Sequence, residues 1–253
     1  MHLISDLHLE LACLTQTVEE VWHQRIQPWV DPHDHLALAG DIGSVQDLAT
    51  LRNFLRRCRE YVDQDRHIFF VPGNHEYYGF PGTIDEANQV LAKLCKEVGV
   101  TWLQCQVVYV PQDNVYVLGC TLWSQVDEEG FTAVNDGQHI ADFQGSTGWQ
   151  VYQHRHNAEV TWLQEQLRQH PQAIVITHHL PSYRLIHPKF AGSPCNSAFA
   201  SNLDLLAQQA QVWVGGHTHE YVHAKIGNCW VVANPVGYPG ERRVTKVRKC
   251  KVC

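Results

Sequence analysis

Short apolar runs alternate along this chain with longer stretches in which apolar residues recur every three or four positions. Leu36-Ala37-Leu38-Ala39 reads as a buried strand. Asp47 to Val62 reads as a helix with Leu48, Leu51, Leu55 and Cys58 on one face, and Ile68-Phe69-Phe70-Val71 as the next strand. The rhythm continues with a helix from Asp85 to Val98 and strands near Val107 to Val110 and Tyr116 to Cys120. A helix from Asn157 to Gln169 follows, carrying Val160, Leu163 and Leu167, then strands at Ile174-Val175-Ile176 and Val212-Trp213-Val214. The end is β-rich, with strands at Trp230-Val231-Val232 and Val244 to Val252, and His2-Leu3-Ile4-Ser5 opens the chain as a strand. Such alternation predicts an α/β fold, with residues 1–253 forming one domain. Asp127 to Gly148 holds four glycines and little periodicity, which predicts a long loop of the kind that often carries function.

The polar residues cluster where the strands end. Ser5-Asp6-Leu7-His8 follows the first strand, Gly40-Asp41 the second and Gly73-Asn74-His75-Glu76 the third. Thr177-His178-His179 and Gly215-Gly216-His217-Thr218-His219 follow two later strands. In α/β sheets the loops at the carboxyl ends of strands converge on a rigid platform where ligands bind. These five loops are therefore expected to meet at one point.

Composition narrows the options. Apolar residues make up 44% and charged residues 18%, as in an ordinary globular protein rather than a disordered chain or a coiled coil. A net charge of -7 argues against a nucleic-acid partner. No apolar run approaches the roughly 18 to 20 residues needed to cross a bilayer, and the first residues do not read as a signal peptide. Nine cysteines, odd in number and scattered, predict a reduced protein in the cytoplasm; Cys250-x-x-Cys253 has no second pair to complete a zinc site. The basic tail after Glu241 predicts an edge strand guarded by Lys and Arg. Seventeen histidines are the unusual component, and metal binding is their natural use.

Taken singly, each polar cluster has a bland explanation. Asp6 and Asp41 could cap helices, and His217 and His219 could be imidazoles on the solvent face of a strand. Capping does not require every strand end to supply a carboxylate, an amide or an imidazole, the ligand types that suit divalent Zn, Fe or Mn. Two such ions can share a water, lower its pKa and clamp phosphoryl oxygens during in-line attack.

The ordered set Asp6-x-His8, Gly40-Asp41, Gly73-Asn74-His75-Glu76, His178 and Gly216-His217-Thr218-His219 resembles the calcineurin-like metallophosphoesterases over nearly the whole chain. The resemblance implies a four-layer α/β/β/α sandwich of two mixed sheets, with a dinuclear metal centre at the strand ends. It implies that Asp6, His8 and His219 hold one metal, that Asn74, His178 and His217 hold the other, and that Asp41 bridges them. His75 would stand just outside, protonating the leaving group after attack by the hydroxide the metals share. His178 and His179 are adjacent, and on a strand or its extended exit they point in opposite directions, so both are not expected on the same ion; the family pattern, with its histidine directly after the strand, favours His178.

The Gly-Asp-x-x-Asp-Arg-Gly of protein Ser/Thr phosphatases is missing here, because Asp41 is followed by Ile42-Gly43-Ser44-Val45. The chain more closely resembles a bacterial-type group of single-domain metallophosphoesterases without assigned substrates, through Gly73 to Tyr78, Leu118 to Trp123, Thr177 to Ser182 and Asn234 to Glu241. Substrate contacts are expected from His179, Asn135, Asp136 and Tyr238, with Tyr77, Trp123, His156 and Ser197 as further pocket candidates. The expected substrate is a small phosphomonoester or phosphodiester, such as a nucleotide. A nuclease acting on polynucleotide ends and a non-catalytic protein-binding scaffold are the competing readings. Oligomeric state has no signature in the sequence.

Overall fold

Each internal apolar run up to residue 233 forms a strand. The computed structural model describes residues 1–241, so the tail strand and the Cys250/Cys253 pair lie outside the described residues. The strands are β1 His2–Ile4, β2 Leu36–Ala39, β3 Ile68–Val71, β4 Thr101–Trp102, β5 Gln106–Val110, β6 Val115–Cys120, β7 Ile174–Thr177, β8 Val212–Gly215, β9 Val222–Ile226 and β10 Cys229–Ala233. The helices are α1 Leu9–Ala12, α2 Val18–Val21, α3 Leu48–Tyr61, α4 Ile84–Val98, α5 Glu128–Ala133, α6 Asp136–His139, α7 Gly148–Gln169, α8 Asn196–Phe199 and α9 Asp204–Ala207.

Caps fix the two helices best marked in the sequence. The Asp47 side chain accepts from Thr50 N at the start of α3, and a Thr83/Glu86 capping box opens α4, which Gly99 closes in a left-handed turn. Two expectations fail. Helix α7 begins at Gly148 rather than Asn157, because its first turns bury Tyr152, His156 and Glu159, a mix of polar and aromatic side chains that hides the apolar period. The stretch from Asp127 to Gly148 is not one irregular loop: α5, α6 and a 3-10 turn at Ala141–Phe143 occupy most of it, each too short to show periodicity.

Sheet order explains the layers. One sheet runs β1-β2-β3-β4, parallel throughout, and the other runs β5-β6-β7-β8-β10-β9, with antiparallel pairs only at its two edges. Side chains alternate across each strand. Leu3, Ala37, Phe69 and Val71 from the first sheet meet Val117, Ile174, Ile176, Val214 and Val232 from the second in a shared core. The opposite face of the first sheet, with Ile4, Leu36, Leu38 and Phe70, packs on α3 and α4 through Phe54, Leu55, Ala87 and Leu91. Leu118, Val175, Trp213 and Val231 of the second pack on Leu163 and Leu167 of α7. The result is the four-layer helix, sheet, sheet, helix arrangement.

Beyond their shared core, the sheets are stitched together at their strand ends. Ser5 bridges to Pro235, and Val236 N and Gly237 N donate to the carbonyls of Ser5 and Asp6 at 2.9 Å. Across the same ridge, His178 Nδ1 donates to the Ala39 carbonyl at 2.9 Å. The exits of β1, β2, β3, β7 and β8 thus lie side by side. Among the described residues no helix is long and apolar enough to cross a membrane, and the seven cysteines there are all free thiols.

Glu159 of α7 is buried away from this ridge. Burial pushes its carboxyl up to about 7, against the hydrogen bond from Gln104 Nε2 and those from Leu122 and Trp123. A carboxyl whose folded pKa lies above its unfolded value of 4.5 favours the folded state fully below pH 4.5 and loses that contribution as pH rises through 7. Urea unfolding of wild type and Glu159→Gln at pH 5 and pH 8 should show a smaller loss for the variant, by up to about 3 kcal/mol.

Candidate metal centre and active site

The local backbone already marks these loops as unusual. Asp6, His8, Asp41, His217 and His219 all adopt left-handed conformations, with φ of 55°, 49°, 54°, 66° and 51°. Such a backbone costs a non-glycine residue on the order of 1 to 3 kcal/mol and persists only where surrounding structure enforces it. Glycine is required beside them for a different reason, namely room. A Cβ on Gly40 would run into the His178 ring, and one on Gly73 into Asp41 Oδ1.

Those loops bring the donors into two groups. Asp6, His8 and His219 form one, and Asp41, His178 and His217 the other. In the first, His8 Nε2 lies 3.1 Å from His219 Nε2, which is 3.5 Å from Asp6 Oδ1. In the second, His178 Nε2 lies 3.1 Å from His217 Nδ1, 3.2 Å from Asn74 Oδ1 and 3.3 Å from Asp41 Oδ2. Asp41 Oδ2 is also 3.9 Å from His8 Nε2, which places it between the groups. Donor atoms sharing one ion at about 2.1 Å lie roughly 3.0 to 3.4 Å apart, so the spacings fit metal ligation. Asp6 Oδ2 is buried with no hydrogen-bond partner, as a ligand oxygen would be.

The remaining atoms of these ligands are tied down. His178 Nδ1 is held by the Ala39 carbonyl, His219 Nδ1 by Glu241 Oε2 at 2.7 Å and His8 Nδ1 by Glu10 Oε1 at 3.1 Å, leaving each Nε2 facing the centre. The amide nitrogen of Asn74 donates to Asp136 Oδ1 at 2.9 Å and to the Tyr78 hydroxyl at 3.0 Å, which turns Oδ1 inward. Tyr78 in turn donates to Asp136 Oδ1 at 2.7 Å.

His75 stands at the rim. Its backbone N–H donates to Asp41 Oδ1 at 2.9 Å, its ring stacks on Tyr78, and its Nε2 lies 3.4 Å from the Tyr238 hydroxyl. Burial alone would lower its pKa. In the metal-free chain the Asp41 charge, and the hydrogen bond and charge of Glu10, outweigh burial and raise it to about 9. A cavity of about 870 Å³ opens over Asp41, Asn74, His75, His217 and His219.

The family comparison agrees with this geometry, since the model of the calcineurin-like phosphoesterases matches residues 2–221. The chain belongs to that family. Its catalytic class is accordingly metal-dependent phosphoester hydrolysis. An uncharacterized protein, L509, of Acanthamoeba polyphaga mimivirus is 31% identical over 265 residues, covering 94% of this chain and 91% of its own. Among solved structures, a phosphopantetheinyl hydrolase, PptH, from Mycobacterium tuberculosis shares the fold with a TM-score of 0.69 at 19% identity, over 94% of this chain and 89% of that one. A putative 5'-nucleotidase from Staphylococcus aureus gives a TM-score of 0.49 at 14% identity, over 92% of this chain and 47% of that one.

Within this calcineurin-like phosphoesterase the expected substrate contacts divide. Asn135 and Tyr238 line the cavity, and the Asn135 side chain makes no capping hydrogen bond to α6. Tyr238 lies over the His8 and His219 rings, with both centroid distances 4.4 Å. Asp136 reaches the cavity wall, but it is buried and its Oδ1 is taken up by Asn74 and Tyr78. His178 and His179 follow β7 in a bend, their ring centroids 5.3 Å apart at 88°. His179 is fully buried between Trp123 and the far face of His217, near the Thr121 carbonyl and the Tyr152 hydroxyl, and it does not line the cavity.

The further pocket candidates also lie elsewhere. Tyr77 is buried and donates to Asn88, Trp123 packs in the core against Phe143 and Tyr152, and Ser197 donates to Asp127. His156 does not begin a helix; it is buried within α7, bonded to the Trp123 carbonyl.

Sequence reasoning missed Glu10, Tyr78, Glu241 and Glu76. Glu76 had a signal, because it closes the Gly73-Asn74-His75-Glu76 motif. Its Oε2 accepts from Gly73 N at 2.6 Å and Asp41 N at 2.9 Å, and its Oε1 from Ile42 N at 2.7 Å and Gly43 N at 3.2 Å. Burial and the Asp41 charge push this carboxyl's pKa up, while His178 and the backbone donors hold it down. With both oxygens accepting two N–H bonds, the site suits an acceptor-only carboxylate. Glu76→Gln would set an amide NH₂ against two N–H donors. Denaturation should show a loss of about 1 to 3 kcal/mol, and elemental analysis a lower metal content.

Proposed function

We propose that this chain hydrolyses a small phosphomonoester or phosphodiester at a two-metal centre. Asp6, His8 and His219 would hold one divalent ion, Asn74, His178 and His217 the other, and Asp41 would contact both; Mn, Fe and Zn suit this donor set. The observation that carries the reading is Asp41 Oδ2, placed 3.3 Å from His178 Nε2 of one donor group and 3.9 Å from His8 Nε2 of the other. When bound, the ions would supply Lewis acidity toward the phosphoryl oxygens and a water of lowered pKa as nucleophile.

The chain's own residues do the rest. His75 lines the cavity with its Nε2 3.4 Å from the Tyr238 hydroxyl, a position from which an imidazolium would donate a proton to a leaving-group oxygen. Tyr238, beside the His8 and His219 rings, and Asn135 both line the cavity, positions suited to contact with the ester.

The cavity favours a small substrate over a polynucleotide. Among the described residues that line it, Lys189 is the one lysine or arginine, and it is paired with Glu220. Much of the wall is apolar or aromatic, from Ala133, Val134, Phe190, Phe199 and Tyr221. A backbone-tracking groove would instead need a run of cations. The Mycobacterium tuberculosis fold neighbour is named for a small phosphate-containing group, in keeping with such a substrate. A non-catalytic scaffold role is disfavoured by a donor set that lacks no member.

Hydrolysis of aryl phosphate monoesters and diesters, assayed with Mn²⁺, Fe²⁺ or Zn²⁺, tests the proposal. Turnover should require added metal and vanish on chelation. His75→Ala should lower it about 100- to 10,000-fold, and Asp41→Asn should abolish it together with metal binding. Turnover that survives both substitutions would refute the reading.

A further inference from the structure

Glu10 is not among the proposed metal ligands, yet one of its oxygens touches two rings of the centre. It sits in the first turn of α1, two residues after His8, and its Oε1 lies 3.1 Å from His8 Nδ1 and 3.0 Å from His75 Nδ1. The two imidazoles come from different loops, His8 from the exit of β1 and His75 from the exit of β3, and their centroids are 4.4 Å apart at 74°. We infer that Glu10 is the positioning residue that sets His8 as a metal ligand and His75 as the leaving-group acid at the same time; this rests on the phosphoesterase reading above.

The argument is one of donors and acceptors. An imidazole that donates from Nδ1 presents Nε2 to whatever lies opposite. For His8 that is the donor group, with His219 Nε2 3.1 Å away. For His75 it is the cavity, where Tyr238 closes the rim. Without an acceptor at Glu10, nothing on the Nδ1 side fixes the tautomer of either ring. His75 would keep its stacking on Tyr78, with centroids 4.2 Å apart, and its Nε2 contact with the Tyr238 hydroxyl at 3.4 Å, neither of which holds a proton on Nδ1. A carboxylate on β1's loop thus aligns a proton donor on β3's loop with the metal ligand beside it.

Three variants separate this from a role of charge or of packing. Glu10→Gln removes the charge but keeps an oxygen at the same reach. Glu10→Asp keeps the charge on a side chain too short to meet both rings, and Glu10→Ala removes both. Two readouts are needed. One is Mn²⁺ and Zn²⁺ affinity measured by titration of the apoprotein. The other is the ratio of kcat on an alkyl phosphate, whose leaving group needs a proton, to kcat on a nitrophenyl phosphate, whose leaving group does not.

Loss of a carboxylate that orients a ligating histidine typically costs about 10- to 100-fold in metal affinity. Glu10→Ala and Glu10→Asp should lose affinity on that scale and drop the alkyl-to-aryl ratio at least about tenfold. Glu10→Gln should recover most of both. Glu10→Asp outperforming Glu10→Gln, or an alkyl-to-aryl ratio unchanged in Glu10→Ala, overturns the inference. So does unchanged metal affinity in Glu10→Ala. If the wild type hydrolyses neither ester, the phosphoesterase reading fails on its own, and the affinity series still decides whether Glu10 orients His8.

Discussion

The pair Asp41 and His178 is the constraint on which the site depends. One residue leaves the β2 end of the first sheet, the other leaves β7 of the second, and both are buried with Oδ2 and Nε2 3.3 Å apart. Burial opposes charge on each. In the metal-free chain the pair overcomes it: His178 holds the Asp41 pKa well below the usual carboxylate range, and Asp41 raises that of His178. Two buried charges are costly to keep unless they are paired and fully hydrogen-bonded. On the proposed two-metal reading, cations would compete for the lone pair that a His178 proton occupies, linking metal binding to proton release. A buried pair that is expensive without a cation is one reason to propose these residues as ligands rather than as structure.

Everything around the pair serves to hold it. Glu76 gathers the backbone N–H groups of Asp41, Ile42, Gly43 and Gly73, fixing the β2 and β3 exits to each other. His178 reaches across to the Ala39 carbonyl, and Gly216 N donates to the His178 carbonyl at 2.8 Å, tying in β8. The left-handed backbones at Asp6, His8, Asp41, His217 and His219 are the strain that this network stabilises. Precision at the centre thus comes from strand ends and buried hydrogen bonds, not from the mobility of any one loop.

The sequence reveals the frame because the frame is made of periodic things. Buried strands read as Leu36 to Ala39 or Ile68 to Val71, and the candidate donors follow them at the strand ends, so strand pattern together with the family motifs could name them. Adjacency suggests that His178 and His179 do not both face one ion, and the choice of His178 rests on its place directly after the strand in the family pattern. What stayed hidden is what has no period. The helical turns at α5 and α6 are too short to repeat, and α7 buries His156 and Glu159 where an apolar residue is expected. β9 does alternate, with Val222 and Ile226 buried around exposed His223 and Lys225, but its polar face disguised it.

Asp136 and Glu10 show why the pocket was harder to read than the centre. Both are acidic residues near the metal donors, and in sequence either could be a substrate contact, a cap or nothing. Their roles depend on which atoms lie within 3.1 Å in space: the Asn74 amide and Tyr78 hydroxyl for Asp136, the Nδ1 atoms of His8 and His75 for Glu10. A metal ligand is recognisable because its chemistry restricts it to a few residue types at a strand end. A residue that orients a ligand is constrained only by distance to another side chain, and linear sequence carries no such distances. The outer cavity wall is further removed still, built from Phe190, Phe199 and Tyr221 on segments with no partner in the motifs. The family motifs of a phosphoesterase therefore sit at the strand ends, while the cavity wall comes from surrounding loops, where the same fold can vary without disturbing Asp41 and His178.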